Sequence, residues 1–196
     1  MNQSTRGMTP LPLSQAVPGL FRCAVTTAGL LAGRRLHRPP QQVGRRVRFA
    51  DGTTGVVYRE TVVDHQPVIQ PVVLVVVFRL RGVHGRGHAM FRAESLLNTP
   101  LFAGFPGFVS KLWMAADEQG RYRGLYQWDG ARSAEQYVRA LWWVLALVSH
   151  RESIRYHVVP DAWRDDVLSS PEALHGGGDA AGDEWWRPVG VQPAAR

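Results

Sequence analysis

Seven consecutive apolar residues, Val72-Val73-Leu74-Val75-Val76-Val77-Phe78, limit the fold of this chain more than any other feature. Most are β-branched, which favours extended backbone. Apolarity without alternation over the length of a strand means burial on both faces. The run therefore predicts a central strand, and the flanking sequence is read outward from it.

After the run, the Gly-rich turn at 82–87 leads into a helix expected from about His88 to Leu97, where Met90, Phe91, Glu94, Leu97 and Leu101 give a loose helical period. Pro100 disfavours helical geometry at Thr99, and 101–106 is expected to be irregular. Phe108–Met114 and Tyr122–Trp128 then read as strands joined by Asp117-Glu118-Gln119-Gly120, a polar turn ending in glycine. Ser133-Ala134-Glu135-Gln136 reads as a capping box. The helix it opens places Tyr137, Leu141, Val144, Leu145 and Val148 on one face. Ile154–Val159 forms a last short strand before Pro160.

This order, strand–helix–strand–strand–helix–strand over 70–160, predicts an α+β ferredoxin-like fold with a four-stranded antiparallel sheet. Both helices would cover one face. The other face is then expected to meet a second sheet in a homodimer, as in a dimeric α/β barrel.

Outside that domain, residues 43–69 predict a β-hairpin extension turning at Asp51-Gly52. Residues 1–42 read as a flexible basic arm, with a short helix between Leu20 and Leu36. Residues 161–196 contain three Arg, seven acids and Gly176-Gly177-Gly178, which suits an acidic disordered tail.

Charge narrows the function classes. The 196-residue chain carries a net +7, yet its first 50 residues hold eight Arg and no acid. Residues 51–196 together carry 15 basic against 16 acidic side chains, and nucleic acid is not an expected partner. No stretch of 18 apolar residues exists, so no membrane span is expected. Pro10, Pro12 and Pro18 break up the helix a transit peptide would need. Cys23 is the lone cysteine, which fits a reducing cytoplasm.

No strong catalytic motif is present. His84 and His88 have the spacing of helical zinc ligands, but Gly85 and Gly87 lie within the pair, and no metal is expected. Gly85-Arg86-Gly87 is not followed by the Lys-Ser or Lys-Thr of a phosphate loop. The hairpin and last strand are more informative. Trp113, Tyr126, Trp128 and Tyr156 supply rings able to bind a small apolar or aromatic molecule. The plain alternative is that these rings fill a core or a dimer interface. His157, Lys111 and Arg155 are the candidate catalytic groups, His157 for acid–base work near neutral pH.

The segments 105–114 (Phe-Pro-Gly-Phe-Val-Ser-Lys-Leu-Trp-Met), 120–128 (Gly-Arg-Tyr-Arg-Gly-Leu-Tyr-Gln-Trp) and 133–137 (Ser-Ala-Glu-Gln-Tyr) together resemble small monooxygenase-like proteins of the dimeric α/β-barrel superfamily. The resemblance spans about 70–160 and carries no fixed catalytic set. It implies either a small-ligand-binding protein or a cofactor-independent monooxygenase acting on a phenol- or anthrone-like aromatic. A haem-binding protein is a further alternative, needing His84, His88 or His157 as axial ligand. No cofactor is expected otherwise.

Overall fold

The computed structural model describes residues 9–64, 67–82, 99–171 and 184–194. Helix α1 spans Leu13–Ala32, followed by strands β1 (Leu36–His37), β2 (Arg46–Phe49), β3 (Thr54–Val63) and β4 (Pro71–Arg79). Then come β5 (Phe108–Met114), β6 (Arg121–Asp129), α2 (Ala131–Val148), β7 (Arg155–Pro160), the short helix α3 (Arg164–Ser169) and β8 (Pro188–Gln192). The helix expected at 88–97 and both loop histidines lie outside the described residues.

All pairings are antiparallel, in the order β7-β4-β6-β5-β3-β2-β8, with β1 on β3. β4 pairs with β6 from Pro71↔Asp129 to Arg79↔Arg121, and on its other side with β7. The central position of the apolar run explains its composition. Val72, Leu74 and Val76 pack with α2 residues including Tyr137, Val138 and Leu141. Val73, Val75 and Val77 join Phe49, Leu112, Leu125, Val167 and Trp185 on the opposite face.

The four-stranded ferredoxin-like sheet of a dimeric α/β barrel is therefore not what forms. The sheet has eight strands and curls into a half-barrel, because β3 pairs along β5 from Val57 to Val62 and carries β2 and β8 beyond it. A strand ending at β5 would have left a row of unpaired backbone groups, and β3 satisfies them. Nor is the second face left bare for another copy: α3, Trp185 and residues of the curled β2 complete its core. The flexible tails of the expected fold are corrected by the same elements. Residues 13–32 form a helix, and 164–169 and 188–192 form the helix and strand that close this face.

Helix α2 opens earlier than its sequence suggests. Gly130, at φ 91°, turns the chain out of β6 and α2 begins at Ala131, with no side-chain cap. Ser133 consequently sits inside the first turn. A glycine can take that left-handed geometry without strain, so the helix starts there and leaves the capping box unused.

Candidate functional site

Antiparallel register decides which side chains meet, because residues directly opposite one another share a face. Lys111 lies opposite Tyr126, which lies opposite Leu74 on the helix-covered face. Trp113 lies two residues along β5 on that same face, and Phe102 comes in from the loop before β5. The Lys111 side chain is buried here. Its Nζ stands 3.2 Å from the centre of the Trp113 ring and 4.7 Å from those of Phe102 and Tyr126. Thr61 accepts a 3.1 Å hydrogen bond from the Trp113 indole, fixing that ring. The Arg59 guanidinium lies over Trp113 as well, 4.1 Å from its centre.

Among the described residues no carboxylate forms an ion pair with Lys111. Burial, and secondarily the Arg59 charge, push its amine well below the ordinary lysine value of 10.5. The rings return part of the lost hydration through cation–π attraction, worth about 2 kcal/mol for a desolvated cation. A lysine in such a setting sheds its proton readily and can act as a base. Behind it, the hydroxyls of Tyr126 and Tyr137 are 3.2 Å apart. Burial raises the pKa of each, so both stay protonated. Trp128 packs 5.0 Å from Tyr137, and its fully buried indole N–H has no acceptor among the described residues.

The structure splits the candidate catalytic trio. Register places His157 opposite Val75 and Arg155 opposite Val77, both on the far face of the sheet. There the His157 ring stacks on Trp186 at 4.0 Å, and Arg155 lies over Trp185. Of the aromatic candidates, Trp113, Tyr126 and Trp128 belong to the Lys111 side, and the half-buried Tyr156 packs at its margin. Arg59, Thr61 and Phe102 were not anticipated. The one signal for Arg59 is its place in Val56-Val57-Tyr58-Arg59-Glu60-Thr61-Val62, where charge interrupts an otherwise β-rich run.

On the far face two buried arginines meet carboxylates. The buried Arg164 guanidinium pairs with Glu60 at 2.8 Å and donates to Ser110 Oγ at 2.9 Å, while its backbone N–H donates to Gln127. At the sheet end, Arg123 pairs with Asp51 and with Asp117, tying the β2–β3 turn to the β5–β6 turn. A separate groove of about 640 Å³ runs between α1 and α2, with Pro18, Cys23, Phe105 and Ala140 in its walls. Burial raises the Cys23 thiol to about 11, which leaves it protonated and unreactive. No group of three or more metal-ligating side chains occurs among the described residues.

No family model matches this chain, and no curated protein does. Among solved structures, one titled "Crystal structure study of anthrone oxidase-like protein" is weakly similar, with 12% identity and a TM-score of 0.35. The match covers 74% of this chain and 57% of that one, so this chain spans little more than half the length of that structure. Neither a fold family nor a function transfers at this level of likeness.

Proposed function

We propose that this chain binds a small aromatic molecule bearing an acidic hydroxyl, and that the Lys111 amine accepts the hydroxyl proton. One observation carries the reading: a buried lysine held among Trp113, Phe102 and Tyr126, its proton affinity lowered by burial. A phenol that gives its proton to this amine becomes an anion beside a newly formed ammonium, so the ion pair forms inside the site. Its ring lies against Trp113 and Tyr126. The Trp128 indole N–H supplies a donor on the same face for a second oxygen of the ligand.

A second reading follows from the same proton transfer. An electron-rich phenolate or anthrone anion reacts with oxygen directly, and a site that stabilises the anion promotes that reaction. Cofactor-independent oxygenation is the activity to test once a ligand is found. The lone, buried Cys23 suits a cytoplasmic setting for either reading.

Ligand-dependent melting with naphthols, hydroxyanthrones and the O-methyl ethers of both tests the proposal. Free hydroxyls are expected to raise the melting temperature and the ethers to do so much less. In Lys111→Met the difference between phenol and ether should vanish. Equal shifts for phenols and ethers in the wild type would sink the assignment. Oxygen uptake with a compound that binds then separates the two readings.

A further inference from the structure

Helix α1 is anchored along one side only. Ala16, Cys23 and Thr27 are buried, on the side where the helix meets the 99–104 segment and α2. The approach is close enough that a Cβ on Gly104 would fall 2.2 Å from the Cys23 carbonyl oxygen. On another side of the same helix, large apolar residues face outward at every fourth position. Leu13, Val17, Phe21 and Val25 are 53%, 59%, 70% and 57% exposed, and Leu31 is 53% exposed. Each step of four residues advances about 40° around a helix, so the first four side chains sweep about 120°. Leu31, eighteen residues after Leu13, returns to the line of Leu13. Single exposed apolar residues are commonplace, but five on one helical face form a patch.

Every Asp, Glu, Lys or Arg within residues 13–38 is an arginine. Arg22 is exposed on α1 beyond Val25 in angular position, and the exposed Arg34, Arg35 and Arg38 follow the helix directly. These belong to the eight Arg of the acid-free first 50 residues. Just past the helix, Asp64 pairs with His37. A second copy docked parallel on this face would bring the same arginines together. An anionic surface with an apolar interior would meet both features. An apolar helical face bordered by arginine is what lies along the headgroup boundary of an acidic bilayer. No helix among the described residues is long and apolar enough to cross a membrane, so the contact is lateral.

We infer that the outward face of α1 docks this protein onto anionic phospholipid surfaces. The inference is independent of the ligand proposed for Lys111. Co-sedimentation of the full chain with phosphatidylcholine vesicles, with and without phosphatidylserine, tests it. Binding is expected with phosphatidylserine, to weaken with salt, and to be far weaker on pure phosphatidylcholine. The double variant Val17→Asp/Phe21→Asp changes only exposed positions and should keep the wild-type melting temperature while losing binding. Arg34→Glu/Arg35→Glu should weaken it roughly tenfold or more. Failure of the folded wild type to sediment with acidic vesicles overturns the inference. So does unchanged vesicle binding in Val17→Asp/Phe21→Asp. If that variant instead turns a dimer into a monomer in a protein that ignores vesicles, the face is an interface between copies and the lipid inference is wrong.

Discussion

Lys111 and Arg123 stand on neighbouring strands, both buried, on opposite faces of the sheet, and their surroundings could hardly differ more. Arg123 has two carboxylates, Asp51 and Asp117, the Thr53 hydroxyl and the face of Phe49. Lys111 has three rings and a second cation. A guanidinium stays charged in a protein interior, so it must be given counter-ions. An amine has another way out, since it can release its proton. The residue types match their sites: the compensated charge ties turns together, while the lysine, with no carboxylate partner among the described residues, is the one proposed for chemistry.

Removing the compensated cation should have the largest effect. Arg123→Met leaves Asp51 and Asp117 with only the partly exposed Arg121 as cation, and a loss of about 3 kcal/mol is expected in urea denaturation. A loss under about 1 kcal/mol would mean that Arg121 and water compensate those carboxylates without it. Next in size, Lys111→Arg forces a permanent charge among the rings and should cost about 2–3 kcal/mol. Lys111→Met, which removes the charge, should be neutral or stabilise by about 1–2 kcal/mol while abolishing the phenol response. If arginine were tolerated as well as methionine, the contrast between the two cations would fail.

The smallest effect is a slope with pH. The native pKa of Lys111 lies below its unfolded value of 10.5, so between the two the unfolded chain holds a proton that the native state lacks. Stability conferred relative to Lys111→Met must therefore rise with pH across that window and level off above the unfolded pKa. Tyr126 and Tyr137 act in the opposite sense above about pH 10, because the native state keeps protons that the unfolded chain loses. They are common to both proteins and cancel in the difference. Denaturation of the pair at several alkaline pH values checks the sign, and a flat difference would place Lys111 in a wetter setting.

The strands were legible wherever burial was written locally. The unbroken run at 72–78 and the alternating hairpin at 108–128 correspond to β4, β5 and β6. What stayed hidden were contacts between distant segments. Arg164 lies in an acid-rich stretch that reads as solvated tail, yet it is buried because Glu60, 104 residues earlier, waits on β3. The same partnership hid the larger sheet, since nothing in 46–63 says which edge it will join. At the site, Lys111, Trp113 and Tyr126 were recognisable as polar and aromatic residues on paired strands. The separation of His157 from Lys111 was not, because it depends on a register that only the pairing with β4 sets.

Strand β5 carries unlike chemistry on its two sides, and that bears on how the chain finds its fold. Ser110 faces the Arg164 lock, Lys111 the aromatic rings, Leu112 the far apolar core and Trp113 the helices. Sliding β5 by one residue would exchange every one of these environments. It would set the amine toward Arg164 and leave the serine among rings. A misaligned sheet therefore loses on both faces at once, and β5 works as a proofreading strand: the mismatch that would reject an error lies in the middle of the sheet.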